Sequence, residues 1–285
     1  MASGSAVVKN ASTWPLLARP VVFYYETCSE DRFNRVPTEN DARGWLLLEH
    51  LAALERFEET PGNPLSGRLD LSRIALMGHS RGGEAAAVAA AFDAVARYPD
   101  DATVELPGPF GVDAVVAFAP ADGQYRPAGQ RTPLAGVGYL VLQGGHDSDV
   151  SSFVGARQLE RVRFAPGSGR FAAGVWIYGA NHGQWNTTWG DRDLPWPWAG
   201  FLDRAALLPA GEQRRIARVY VTAFLDETLR GDGQAPGPYR RLFRQPEAAP
   251  GWIAHHKLPE DVRAVTELPL TAMQKLDRRA RGPEP

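Results

Sequence analysis

Thiols are almost absent from this chain: Cys28 is the only cysteine in 285 residues. An intrachain disulfide is therefore excluded, and the redox compartment is left open. No His–Cys pattern surrounds Cys28, which reads as a structural thiol rather than a catalytic one. Long apolar runs are missing too, since no stretch approaches the ~20 residues that a membrane span needs. Met1 to Trp14 has neither a charged start nor a continuous apolar segment, so no signal peptide is expected. As written, the chain is expected to be cytoplasmic, although a longer form could be secreted. An excess of one charge is likewise lacking: 31 Lys and Arg stand against 33 Asp and Glu, for a formal net charge of -2. That balance gives no reason to expect nucleic acid or an anionic membrane as a partner. No internal repeat or long low-complexity run is present. What remains is a 44% hydrophobic, 22% charged sequence with enough apolar residues for a sizeable core, in one large domain or two small ones.

Strand and helix patterns alternate along it. Val21 to Tyr25 reads as a buried strand, β-branched and aromatic. Trp45, Leu47, Leu48, Leu51, Leu54 and Phe57 recur at helical spacing within a helix expected over Asp41 to Phe57, which Pro61 to Pro64 then break. Further strands are expected at Ile74–Met77, Ala114–Phe118, Tyr139–Gln143 and Gly174–Tyr178. Helices are expected from Gly83 to about Tyr98, from Ser152 to Val162, and from Glu212 to Arg230, with Gly231 as the last one's stop. Alternation of this kind implies an α/β fold, a mostly parallel sheet with helices on both faces. In such sheets, chemistry collects in the loops beyond the strand C-termini.

The most informative of those loops is Gly78-His79-Ser80-Arg81-Gly82-Gly83, between an apolar strand and the small-residue run Glu84 to Ala91. A serine on a sharp strand-to-helix turn needs glycine where a side chain would collide with strand or helix. Such a turn lifts the hydroxyl above the sheet, and the first helical amides face any anion that develops there. A serine hydroxyl still needs a base. His50 falls inside a helix, His79 should point away from Ser80, and His255 and His256 lie in a Pro-rich tail. His182, after the last strand in Gly179-Ala180-Asn181-His182, is the candidate base. An acid must orient it. Asp147 and Asp149 both follow the strand ending at Gln143; Asp147 is nearer the strand end and is preferred, whereas Asp149 is better suited to capping a helix. Asp122, after the preceding strand, is a third candidate. The order Ser80, Asp147, His182 is the serine–acid–histidine order of α/β-hydrolases.

Taken together, Gly78 to Gly83, Gly145-His146-Asp147-Ser148-Asp149-Val150 and Gly179 to His182 make the chain similar to α/β-hydrolases of the cutinase-like polyester hydrolase, chlorophyllase and dienelactone hydrolase neighbourhood. The resemblance spans roughly residues 15 to 245, and the arginine after the serine is similar to that of chlorophyllases. It implies serine-dependent hydrolysis of a small-molecule carboxylic ester, with no metal or organic cofactor. Members of the fold carry several strands before the one at Val21, with a His-Gly loop that supplies half of an oxyanion hole. Here only about twenty residues precede Val21, and no His-Gly motif is among them. Ser5 to Lys9 reads as a strand remnant, and Trp14 to Arg19 as the end of its helix. The pattern is that of an α/β-hydrolase lacking its usual first strands, whether a truncated product, a misplaced start or a weakened enzyme. The strand at Val21 must then pair directly with the one at Ile74 or leave a gap in the sheet.

The Arg81 amide should donate to an oxyanion. Gln124, Tyr125, Gln184 and Trp185, with Trp189, are candidates to line the cleft, the alternative being ordinary packing. Trp196 and Trp198, each preceded by proline, are expected to staple a long loop. The short gap at 99–113 leaves little room for a lid. Residues 1–252 are read as the hydrolase domain and 253–285 as an irregular tail. Two functions stand at this point: an ester hydrolase working through an acyl-enzyme, and a non-catalytic binding module of the same fold.

Overall fold

Strands buried on both faces read as unbroken apolar runs, and their alternate residues feed two cores. In the computed structural model, which describes residues 20–26, 40–229, 239–243 and 256–257, this is the arrangement found. Cys28, the remnant at Ser5 to Lys9, the stop at Gly231 and most of the tail lie outside those residues. In chain order the elements are β1 (Pro20–Glu26), α1 (Asn40–Glu59), β2 (Asp70–His79) and α2 (Arg81–Phe92), then β3 (Arg97–Tyr98), β4 (Asp101–Glu105), β5 (Val112–Phe118), β6 (Leu134–Ala135) and β7 (Gly138–Gly144). They continue with α3 (Ala156–Leu159), β8 (Val162–Arg163), β9 (Ala172–Ile177), α4 (Ala210–Leu229) and β10 (His256–Lys257). The main sheet runs β1-β2-β5-β7-β9-β10, and every pairing is parallel. All its strand C-termini therefore open on one edge.

Ile74, Leu76, Val115, Ala117, Tyr139 and Val141 face α1 and α2, whereas Ala75, Met77, Val116, Leu140, Leu142 and Val175 face α4. The expected apolar stripe of α4 (Ile216, Val219, Tyr220, Ala223 and Phe224) is fully buried on that second face. On the first face, small residues let α2 lie between the sheet and α1. A Cβ at Gly44 of α1 would come within 2.8 Å of Val88 Cγ1 of α2.

β1 pairs directly with β2, from Val21 opposite Ile74 to Glu26 opposite His79. No strand is inserted between them. The parallel sheet covered by helices on both faces, together with the sharp β2–α2 turn described below, fits an α/β-hydrolase fold in which the first two of these strands pair directly. Among the described residues, no helix is long and apolar enough to cross a membrane. β10 pairs with β9, so the sheet extends into the stretch read from sequence as tail.

Two helices are shorter than their sequence patterns suggest. α2 stops at Phe92, not near Tyr98, because the next residue is committed elsewhere. Asp93 accepts hydrogen bonds from the backbone N–H groups of Phe110 (2.6 Å), Gly111 (3.0 Å) and Val112 (2.8 Å), tying the helix end to the start of β5. The chain between them turns back as the β3–β4 hairpin, which fills the short gap at 99–113. α3 begins only at Ala156, because Ser152 and Phe153 have φ of 64° and 56°, outside the helical region.

Asp93→Ala would leave three backbone donors without their acceptor. A loss of about 3 kcal/mol in chemical denaturation is expected, and a wild-type midpoint would refute the role assigned to Asp93.

Candidate active site

The turn from β2 into α2 is made by one residue. Ser80 has φ 57° and ψ −126°, a conformation that L-residues rarely adopt and that costs ~1–3 kcal/mol. It is held on both sides: its N–H donates to Phe118 O (2.9 Å), and its carbonyl accepts from Gly83 N (3.0 Å) and Ala121 N (3.1 Å). A Cβ at Gly78 would collide with the Gly82 carbonyl and lie 2.6 Å from Gly83 N, and one at Gly83 would lie 2.7 Å from Pro120 Cβ. The close approaches therefore fall at 78 and 83, with Gly82 supplying the obstacle. Arg81 opens α2, so its N–H is one of the helix amides with no carbonyl of its own helix to meet.

The acid loop leaves the end of β7 and the base loop the end of β9. They are laced together by Gly145 N to Ile177 O (2.9 Å) and His146 N to Ala180 O (2.8 Å), and His146 Nδ1 accepts from Gly179 N (3.2 Å). Asp147 Oδ2 lies 2.9 Å from His182 Nδ1, and both side chains are buried. The same oxygen accepts from Gln143 Nε2 (3.1 Å), while Oδ1 accepts from Asp149 N (3.0 Å) and Val150 N (2.7 Å). Asp149, with a half-exposed side chain, stands on the other side of the ring, 3.3 Å from His182 Nε2. That nitrogen has no hydrogen-bond partner among the described residues. The two carboxylates thus divide the imidazole between them, one at each nitrogen.

Two rings pack against the His182 imidazole. His79 lies 4.6 Å from the His182 ring and 4.7 Å from Trp189, and Trp189 is stacked on His182 at 5.6 Å. Burial pulls the His182 imidazole down. The hydrogen bond to Asp147 and the charges of Asp147, Asp149 and Asp193 outweigh it and hold His182 above the usual histidine range. Burial, reinforced by the neighbouring His182, holds His79 well below that range, so His79 stays neutral. Burial also pushes the Asp147 carboxyl up, against the hydrogen bonds from His182 and Val150.

The remaining sequence candidates are engaged elsewhere. Asp122 is paired with Arg131 (3.0 Å) and Arg161 in a buried cluster, and so serves the fold rather than His182. Gln124 and Tyr125 belong to a loop whose backbone N–H groups are gathered by buried Glu84 at 2.8 Å and 3.3 Å. The Gln124 side chain accepts from Asn40 (3.0 Å), and Tyr125 is buried edge-on against Phe92 at 5.6 Å. Gln184 donates to Leu208 O (3.0 Å), and Trp185 packs on Phe118 at 5.8 Å within the α4-side core. The packing alternative describes these four side chains. Trp189 alone of the proposed aromatics touches His182. The two loop tryptophans reverse their expectation: Trp196 and Trp198 are 81% and 63% exposed, and Phe201 beside them 82%. Trp198 meets only the equally exposed Phe201 among the described ring contacts, at 6.3 Å.

Sequence reading missed Gln143, Gln213 and Asp193. Gln213 of α4, fully buried, clasps the Asn181 backbone, accepting from its N–H (3.1 Å) and donating to its carbonyl (2.9 Å). Asp193 accepts from four donors around His182. No pattern marked these residues: Gln213 and Asp193 act on loops they reach only through the fold, and Gln143, four residues before Asp147, reads simply as the end of β7. Among the described residues, no cluster of three His, Cys, Asp or Glu side chains could hold a metal.

No protein-family model matches the sequence, and no curated protein matches it. Among solved structures, a ferulic acid esterase from Streptomyces cinnamoneus is similar at a TM-score of 0.47 and 21% identity, over 76% of this chain and 55% of that one. The chain thus spans little more than half the length of that structure.

Imidazole NMR should separate the two neighbouring histidines. His182 is expected to titrate above the ordinary value of 6.5, and His79 to remain neutral well below it. Coincident titrations would contradict the environments described.

Proposed function

We propose that the chain is a serine-dependent hydrolase of carboxylic esters that works through an acyl-enzyme. The observation that carries this reading is the buried 2.9 Å contact of Asp147 with His182 Nδ1, at the sheet edge where the strained Ser80 turn also lies. In this mechanism the Ser80 hydroxyl attacks the ester carbonyl while His182 Nε2 takes its proton. Asp147 fixes the tautomer with the proton on Nδ1 and stabilises the imidazolium. The Arg81 N–H, at the start of α2, donates to the oxyanion. Collapse of the tetrahedral intermediate passes the proton from Nε2 to the leaving alkoxide and leaves acyl-Ser80. A water activated by Nε2 then releases the acid and restores the serine.

Nε2 must turn from Asp149 to Ser80 for the first step. Contacts of this kind often close only when substrate binds. Its present position beside Asp149 is the one observation that favours the second reading, a binding module that keeps the residues without the chemistry.

Fluorophosphonate labelling with peptide mapping decides between them. Stoichiometric modification at Ser80, abolished with p-nitrophenyl ester turnover in Ser80→Ala, is the expected result. A folded protein that does not label would leave the binding module. The carboxylates should separate as well. Asp147→Asn should cost ~10⁴-fold in kcat, and Asp149→Asn less than about tenfold, since an exposed charge is screened; the reverse ranking would move the orienting acid to Asp149. With His182 raised, kcat/KM should climb through an acid limb above pH 6.5, because the base works only when deprotonated.

A further inference from the structure

We propose that Asp193 is a positioning residue which locks the acid loop to the base loop and so sets the His182 imidazole against Asp147; this rests on the ester-hydrolase reading of that pair. Its Oδ2 accepts from His182 N (3.0 Å) and from Ser148 N (3.1 Å), the amide next after Asp147. One oxygen thus joins the backbone of the base to the residue beside the acid. Its Oδ1 accepts from Gly183 N (2.9 Å) and Asn181 Nδ2 (2.7 Å), the residues on either side of His182. The other ties between the loops, at Gly145 and His146, lie nearer the strand ends. Beside the Asp147–His182 contact itself, Asp193 ties the backbone of both loops where the acid and base stand.

The loop carrying Asp193 is held in turn by the base loop. Asn181 Nδ2 also reaches Gly190 O (3.3 Å), a Cβ at Gly183 would come within 2.5 Å of that same oxygen, and Trp189 stacks on His182. An ionised carboxylate, which only accepts, matches a ring of four donors. An asparagine there must turn its NH₂ toward two of them, replacing two hydrogen bonds with donor–donor contacts. Asp191, two residues earlier, pairs with Arg204 (3.0 Å) on the surface and provides the control.

The groups facing His182 are Asp147 and Asp149 of the acid loop, Asp193 of the loop that follows the base loop and neutral His79 of β2; Arg214 of α4 bonds the carbonyls beyond, Asn186 O at 3.2 Å. Removing the Asp193 charge alone should therefore make the imidazolium less stable. The test compares Asp193→Asn with Asp191→Asn, using p-nitrophenyl acetate kinetics across pH and ¹⁵N NMR titration of His182. In Asp193→Asn, kcat should fall ~10²-fold through misplacement of the base, with KM within about threefold. The acid limb and the His182 titration should both move to lower pH. Asp191→Asn should leave all of these unchanged.

Wild-type kcat with an unmoved limb would overturn the inference, as would a kcat loss that merely tracks the folded fraction while His182 titrates as in wild type. Should Asp193→Asn fail to fold, Asn181→Ala removes one donor to Asp193, together with the bonds to Gly190 O and Gln184 N, and keeps the carboxylate; a loss of about tenfold in kcat is expected, and none would overturn the proposal. A wild-type protein that neither labels at Ser80 nor hydrolyses esters would count against the hydrolase reading instead. The NMR comparison would still decide the role of Asp193.

Discussion

Everything at the open edge of the sheet depends on keeping two ionisable groups, Asp147 and His182, together out of water. Burying either alone would cost several kcal/mol and drive it neutral. Together they satisfy each other, and the surroundings supply the remaining contacts. Gln143 and the amides of Asp149 and Val150 take the other lone pairs of the carboxylate. Asp193 and Gln213 fix the backbone that carries the imidazole. The network is costly to interrupt at any member, because each group removed leaves a buried donor or acceptor unmatched.

A second constraint is steric. β2 can pass into α2 through one residue only because nothing stands between Gly78 and the Gly82 carbonyl, and because Pro120 meets a glycine at 83. Backbone strain at Ser80 is offset by the tie to Phe118 O and by the burial of α2 along its whole length. The parallel register then does the rest. Strands that all point the same way deliver Ser80, Asp147 and His182 to one edge from positions far apart in the chain.

Local features of this kind were legible in the sequence. Strand runs such as Ala114–Phe118 and Tyr139–Gln143, the stripe of α4, and the strand–turn–helix at Ser80 each rest on short-range pattern, and the structure contains each of them. The shortened α2 was not legible, because the competitor for Asp93 is a loop seventeen residues away. Tyr125 and Trp185 illustrate the same limit: an aromatic after a strand end can face a cleft or the core, and composition does not say which. Here Phe92 and Phe118 receive them. Asp193 is the clearest case. Its neighbours Asp191 and Arg192 are as polar as it is, and only the fold turns one of the two aspartates inward.

Two carboxylates at one imidazole pose a question that burial decides. Asp147 is enclosed, accepts from four donors and keeps one orientation, so its interaction with Nδ1 acts in a medium of low polarisability. Asp149 has half its side chain in water, where its charge is screened. The buried partner keeps the ring in place, whereas the exposed one can leave Nε2 without leaving a charge stranded. That asymmetry leaves Nε2 as the nitrogen open to exchange partners, which is what the proposed proton-transferring role would require.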